Sequence, residues 1–153
     1  MRNLKQKLFS TINEINERVI AIRQDIHAHP ELSGHEKHTK YLVKGILEAS
    51  WYEIKESDKH FGLIADLVVD ENAKTVAIRA DMDALPIQEK TGKPYASREK
   101  GIMHACGHDS HTAIALGTAI AMAAHKDNLP GNIRFIFQPS EESKEGGSIE
   151  MIE

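Results

Sequence analysis

The chain has 153 residues, which is enough for one domain or for part of a larger one. Hydrophobic residues make up 41% and charged residues 27% of it, close to the averages for globular proteins. The formal net charge of −4 and the pI near 6.1 argue against nucleic acid or an anionic membrane as a partner.

Two features predict a cytoplasmic protein. The N-terminal residues lack the apolar run of a signal peptide, and no segment approaches the ~20 apolar residues that span a bilayer. Cys106 is the single cysteine, so it cannot form an internal disulfide. A lone thiol among histidines is typical of a reducing compartment and of a ligand or reactive group, although a small buried side chain is the alternative.

The first predicted elements are two helices. Apolar residues recur at spacings of three and four over residues 4–26, which predicts an amphipathic helix. It should end at His29-Pro30, because the residue before proline avoids the helical conformation. Ser33 and Glu36 have the spacing of a capping box, which predicts a second helix through about Ala49.

Two β-strands should follow. Segments 61–69 and 74–80 are rich in β-branched and aliphatic residues, and the polar segment 70–72 lies between them. This pattern predicts an antiparallel hairpin with a short turn. Glycine and proline in segment 91–94 indicate a loop.

A third helix is predicted with Asp109 or Ser110 as its N-cap and an end near His125. It is rich in alanine and apolar nearly all round, so it should be buried. A strand is predicted next, ended by Pro139, from the alternation of Ile133, Phe135 and Phe137. Residues 148–153 resemble the first turns of another helix. This order of helices and strands predicts an α/β layered domain.

The segment before the third helix carries the first candidate metal ligands. Side chains two residues apart in an extended loop point the same way, so Cys106 and His108 can face one metal ion. A helix N-terminus favours a thiolate, which strengthens this interpretation. His104 and His111 lie nearby and are predicted to be hydrogen-bonding or orienting residues rather than ligands.

Adjacent carboxylates follow the last predicted strand. Glu141 and Glu142 could have separate roles, one as a metal ligand and the other as a base toward water. The alternative for such a pair is a solvated acidic loop. Co-occurrence with the Cys106–His108 segment favours the functional interpretation.

Asp81 and Asp83 lie at a strand end, where a carboxylate can orient a ligating histidine. The histidines away from this region are predicted to be surface or structural residues; they are His27, His29, His35, His38, His60 and His125. A Cys106 nucleophile activated by a histidine is a further alternative, although His108 is too close in sequence for the usual pair.

Five segments together resemble a known family. They are Asp25-Ile26-His27-Ala28-His29-Pro30-Glu31-Leu32-Ser33, Arg79-Ala80-Asp81-Met82-Asp83-Ala84-Leu85-Pro86, Pro94-Tyr95-Ala96-Ser97, Met103-His104-Ala105-Cys106-Gly107-His108-Asp109 and Gln138-Pro139-Ser140-Glu141-Glu142. Their order and spacing are similar to those of the N-terminal part of metal-dependent amidohydrolases. That group includes hippurate hydrolase, N-acyl-amino-acid deacetylases and indole-acetyl-amino-acid hydrolases, within the aminoacylase and carboxypeptidase-G-like metallopeptidases.

The resemblance implies roles for individual residues. Cys106, His108 and Glu142 match ligands of a two-metal centre that usually contains manganese or zinc. Glu141 matches the general base, and Asp83 matches the acidic residue that orients a ligand. The implied reaction is hydrolysis of the amide bond of a small-molecule N-acyl amino acid.

The resemblance also implies a domain organisation. Residues 1–153 match the N-terminal portion of a catalytic domain with a metallo-aminopeptidase/carboxypeptidase-like fold, incomplete at its C-terminus. The family's inserted lid or dimerisation domain, the C-terminal part of its catalytic domain and two further histidine ligands have no counterpart here. We therefore expect this chain to be inactive alone and to form a homo-oligomer or aggregate through exposed apolar faces. The alternative is a non-catalytic fragment that binds metal weakly or needs a partner chain.

Overall fold

The computed structural model describes residues 3–152. Its helices are α1 (Leu4–Ala28), α2 (Lys37–Glu48) and α3 (His108–Ala123), and Lys126–Asn128 form a short 3₁₀ turn. Its strands are β1 (Glu53–Glu56), β2 (Leu63–Leu67), β3 (Thr75–Asp81) and β4 (Asn132–Gln138), which form one sheet in the order β1-β2-β4-β3. The predicted α/β fold class is confirmed.

α2 and α3 pack on one face of this sheet, and α1 packs against α3. Phe135 and Phe137 of β4 are fully buried between the helical layer and the neighbouring strands, with Ile26 of α1, Leu47 of α2 and Leu116 of α3 in the same core. The face of the sheet opposite the helices is more polar than the helix-covered face, and it carries a bidentate ion pair between Arg134 and Asp66. The predicted helix α1 is present; its apolar stripe is buried at Ile22 and Ile26, near its C-terminus, whereas Ile12 of the same stripe is 46% exposed. Among the described residues, no helix combines the length and apolarity that crossing a membrane requires.

The predicted hairpin of β2 and β3 is wrong, because β4 lies between them. β4 pairs antiparallel with β2 and parallel with β3, with Asp81 of β3 opposite Gln138 of β4. The central position buries both phenylalanines of β4, whereas a β2–β3 hairpin would leave that apolar strand at an edge. The Asn132 side chain also bonds the segment that was expected to form the turn, because it accepts the N–H of Asp70 and donates to the carbonyl of the same residue.

The predicted N-caps of α2 and α3 are also wrong. Ser33 does not cap α2; its hydroxyl donates to Asp83 at 2.7 Å, and the Glu31 carboxylate instead accepts the N–H groups of His38 and Thr39 in the first turn of α2. The residue preceding α3 is Gly107, so Asp109 and Ser110 lie inside its first turn. Ser33 thus bonds a tertiary partner in place of the cap, and the Asp109 carboxylate likewise accepts from Arg23 at 2.7 Å.

Three smaller differences complete the comparison. β1 was not predicted, because its sequence Glu53–Glu56 is mostly charged and its burial is slight. α3 is buried along most of its length, but Ile114 is 63% exposed. Residues 148–152 form turns with hydrogen bonds between residues three apart rather than an α-helix, and residue 153 of that predicted segment lies outside the described residues.

Candidate metal centre

The candidate site lies at one edge of the sheet. Because β3 and β4 run parallel, the segments that follow them, with Asp81–Asp83 and Ser140–Glu142, emerge at the same edge. The carboxyl ends of parallel strands are common positions for ligand sites in α/β proteins. The N-terminus of α3 reaches the same edge and contributes Cys106 and His108.

Three of the predicted residues come together there. One ligand atom each of Cys106, His108 and Glu142 lies within 4.8 Å of the other two. His108 Nε2 is 3.9 Å from Glu142 Oε1 and 3.7 Å from Glu141 Oε2. A thiol, an imidazole and a carboxylate at this separation are a donor set that suits zinc and related divalent ions. The residues present therefore fit a divalent metal ion.

Gly107 allows its two neighbours to face one point. Its φ angle is +90°, in the left-handed region that a residue with a Cβ rarely adopts. The chain turns there from the loop into α3, and the turn brings the Cys106 thiol and the His108 ring to the same side. An extended loop was predicted for this segment; the structure reaches the same convergence by a left-handed turn.

Asp83 contacts the His108 ring at Nδ1, an arrangement that carboxylates beside ligating histidines commonly have. His108 Nδ1 is 3.0 Å from the carbonyl oxygen of Asp83 and 3.2 Å from its carboxylate. Because Nδ1 is occupied in this way, Nε2 is directed toward Glu141 and Glu142 and can serve as the ligand atom. The other carboxylate oxygen of Asp83 accepts the hydroxyl of Ser33 and, at 2.9 Å, the backbone N–H of Glu142.

The contact between Asp83 and His108 shifts the pKa values of the two residues in opposite directions. Burial disfavours ionisation of Asp83, but hydrogen bonds from His108, Ser33 and the N–H of Glu142 outweigh it and lower its pKa to about 2. Burial also disfavours the charged form of His108, but its contacts with Asp83, Cys106 and Asp81 raise its pKa to about 11. In the absence of metal the two residues therefore form a buried ion pair, and a cation at Nε2 would displace a proton.

A second cluster shares His108. One ligand atom each of Asp81, His108 and His111 also lies within 4.8 Å of the others. His108 has a single ligand atom available, Nε2, so it cannot serve two ions through both clusters at once. Asp81 already accepts His111 Nδ1 at 2.6 Å and pairs with Arg79. His111 therefore makes a hydrogen bond, as predicted, and with its Nδ1 on a carboxylate it has the same arrangement as His108.

The loop that carries Glu141 and Glu142 has an unusual start. Ser140 has φ of +53°, a left-handed conformation for a residue that is not glycine. Its N–H donates to the buried carboxylate of Glu36 at 2.7 Å, and its carbonyl accepts the N–H of Gly147. Both glutamates then lie at the rim, partly exposed. Glu36 was predicted only as part of a capping box, and nothing local in the sequence indicates its contact with Ser140.

The remaining histidines differ in their environment. His27 is buried and bonds Asp109 at 2.8 Å and Glu89 at 3.3 Å, in agreement with a structural role. His104 is buried, burial lowers its pKa to about 4, and its ring has no hydrogen-bond partner within residues 3–152, contrary to the predicted hydrogen-bonding role. His29 and His38 lie at the surface and form a cluster of possible ligands with Asp25, which sequence reasoning missed although Asp25 and His29 have helical spacing.

Comparisons with known proteins identify the family of this chain. Residues 77–153 match the model of Peptidase family M20/M25/M40, which is half of the chain. The chain is 44% identical over 137 residues to N-acetyl-L-cysteine deacetylase of Bacillus subtilis, covering 90% of this chain and 33% of that protein. It is 42% identical over 149 residues to N-acyl-L-amino acid amidohydrolase of Geobacillus stearothermophilus, covering 97% of this chain and 40% of that protein.

A solved structure shows the same fold. The Bacillus subtilis YXEP protein, a dinuclear metal-binding peptidase from the M20 family, superposes with a TM-score of 0.81 at 46% identity. The match covers 88% of this chain and 38% of that protein. The chain thus spans a third to two fifths of the length of these relatives. From its sequence, its fold and the position of its candidate ligands, the chain belongs to Peptidase family M20/M25/M40, a family of hydrolases.

Proposed function

We propose that this chain provides the ligands and the general base of a metal-dependent amidohydrolase that cleaves N-acyl amino acids. The observation that carries the proposal is the convergence of Cys106, His108 and Glu142, with the carboxylate of Glu141 beside them. Names of the relatives, a deacetylase and an amidohydrolase, support the same reaction class.

The proposed ligands are Cys106, His108 and Glu142. When bound, a divalent cation such as Mn²⁺ or Zn²⁺ supplies Lewis acidity toward the substrate carbonyl and favours ionisation of water. His108 would bind the ion through Nε2, because its Nδ1 is hydrogen-bonded to Asp83. Asp83 also accepts the N–H of Glu142, so a single carboxylate orients two of the three proposed ligands.

Glu141 is the proposed general base. Its carboxylate is 3.7 Å from His108 Nε2, and its side chain is 39% exposed, so it can reach both the ligands and an incoming substrate. A carboxylate at this position can take a proton from the attacking water and return it to the leaving nitrogen of the amide. Glu141 and Glu142 thus have different proposed tasks although they are neighbours in the sequence.

Two glutamate variants and a control separate these roles. Isothermal titration with Zn²⁺ or Mn²⁺ and hydrolysis of hippurate and N-acetyl amino acids would be measured on the purified chain. Glu142→Gln should weaken metal binding, whereas Glu141→Gln should leave it nearly unchanged and abolish any hydrolysis. Glu145→Gln, an exposed acid of the same loop, should change neither. Hydrolysis that survives in Glu141→Gln would contradict the role of the base.

The alternative is a chain that binds metal without turnover, alone or until a partner chain completes the site. Three ligands from the described residues leave a divalent ion with open coordination positions, which is the observation that favours this alternative. Its expected result is metal binding to the wild-type chain with no hydrolysis in the same assay. That result would support the prediction that the chain is inactive alone, and hydrolysis by the wild-type chain would contradict it.

A further inference from the structure

The segment between α1 and α2 contacts both loops of the candidate metal centre. Ser33 donates to the carboxylate of Asp83, and Glu36 accepts the N–H of Ser140, 104 residues further along the chain. Leu32 forms a bridge with Ala84, which places the segment directly beside the Asp83 loop. The segment overlaps the motif Asp25–Ser33, and none of the segment's residues is a proposed metal ligand or general base.

Glu36 is an unusual residue for its position. It is fully buried, and of its two carboxylate oxygens one lies 2.7 Å from the backbone nitrogen of Ser140. The other, Oε2, is buried with no hydrogen-bond partner in the part of the chain that the structure describes. A buried acid with one unsatisfied oxygen is unfavourable for stability, which suggests that its position serves something other than packing.

Its partner is the strained residue that precedes the two glutamates. With φ at +53°, Ser140 is in a conformation that serine adopts only when its surroundings impose it. The shorter contact with Glu36, at 2.7 Å, is donated by the backbone N–H of Ser140, and the Ser140 hydroxyl lies 3.5 Å from the same oxygen, so Glu36 acts mainly on the main chain. If Ser140 relaxed to a negative φ, the following residues Glu141 and Glu142 would rotate away from His108.

We propose that Glu36 is a positioning residue that holds Ser140 in its left-handed conformation and so places Glu141 and Glu142 beside His108. The inference rests on the proposed metal site for its functional meaning. Glu36 does so as a hydrogen-bond acceptor, and a negative charge is not required. Glutamine, which keeps an acceptor oxygen at the same distance from the backbone, should therefore replace it.

Three variants test this inference. Glu36→Gln keeps the acceptor, Glu36→Leu fills the space without one, and Val43→Ala removes packing from a fully buried position of α2, the helix that Glu36 precedes. Two quantities would be measured on each folded chain: Zn²⁺ affinity by calorimetry, and hydrogen exchange of peptides covering residues 139–147 in the metal-free chain. Glu36→Leu should bind zinc about tenfold more weakly and lose protection in 139–147. Glu36→Gln should match the wild type in both.

Val43→Ala provides the matched control. It lowers the stability of α2 without touching Ser140, so it should leave zinc affinity and exchange in 139–147 unchanged under conditions where the chain stays folded. If Glu36→Leu behaves like Val43→Ala in the exchange measurement, Glu36 is only a packing residue and the proposal is wrong. A Glu36→Gln variant that loses protection as Glu36→Leu does would overturn the acceptor role.

The two measurements also separate this inference from the proposed function. A wild-type chain that binds no zinc would count against the proposed metal site, and exchange at 139–147 would still decide whether Glu36 holds the loop. If the wild-type chain binds zinc but no more tightly than Glu36→Leu does, the proposed metal site is supported and the positioning role of Glu36 is refuted.

Discussion

Asp83 and His108 are joined at two points, because Nδ1 of the His108 ring lies 3.0 Å from the Asp83 carbonyl oxygen and 3.2 Å from its carboxylate. The same carboxylate accepts the backbone N–H of Glu142. One buried side chain therefore connects the end of β3, the start of α3 and the loop after β4. Its removal should affect the geometry of the whole centre rather than a single contact.

Replacing Asp83 by asparagine should weaken metal binding by about 10- to 100-fold, the usual effect of losing a partner that orients a ligand. The amide side chain would lack the charge that favours the bound cation, and it has one acceptor oxygen in place of two. Calorimetric titration with Zn²⁺ would measure the change. Asp66→Asn, which removes a carboxylate of the same sheet that pairs with Arg134, should leave the affinity unaltered. Equal losses in both variants would argue against a specific role for Asp83.

The metal-free chain should lose stability in acid as Asp83 is protonated. The pKa of Asp83 is lowered from 3.8 to about 2, so its ionised form stabilises the fold above pH 4, and this contribution disappears as the pH falls through about 2. The expected loss is about 2 kcal/mol of the free energy of unfolding. Urea unfolding between pH 6 and pH 2 with a chelator present would measure it. In Asp83→Asn the same range should show a smaller decrease.

Gly107→Ala should be destabilising for a conformational reason. A Cβ at this position would meet no atom within 4 Å, so the cost comes from the φ of +90° and should be about 1–2 kcal/mol. The matched variant is Gly45→Ala in α2, where the space is equally open and the backbone is helical. It should stabilise the protein by about 0.5–1 kcal/mol. Thermal unfolding of both proteins measures the contrast, and a stable Gly107→Ala would contradict the assigned backbone conformation.

Cys106→Ser should change metal preference as well as affinity. Thiolate favours zinc over manganese, whereas an oxygen donor suits manganese better. We expect zinc affinity to fall more than manganese affinity, so that the ratio between the two decreases by about tenfold or more. Competition between the two ions on the wild type and on the variant would measure this ratio. An unchanged ratio would indicate that the thiol does not contact the ion.

The local elements of this protein were predictable because their signals are local. The helical periodicity of α1 and the alternation of Ile133, Phe135 and Phe137 in β4 depend on which face of each element is buried, and both predictions are confirmed. The candidate ligands Cys106, His108 and Glu142 were also predicted from the sequence, and the structure brings them together, although their roles stay predictions.

Predictions that needed knowledge of distant partners were wrong. The segments of β2 and β3 are adjacent in sequence and each has strand character, but the choice between pairing with each other and pairing with β4 depends on where Phe135 and Phe137 are buried. Ser33 had the spacing of a helix cap, but Asp83 is the better partner for its hydroxyl in the folded chain. Neither competitor lies near these residues in sequence.

Residue types, their spacing and the amphipathic faces can be read along the chain, and they indicate an α/β domain with a candidate metal site. The strand order, the bond between Glu36 and Ser140 and the contacts of Asp83 with His108 and Glu142 arise from the packed fold. Periodicity depends on burial within one element, whereas a hydrogen bond across 104 residues depends on how all of the elements pack together.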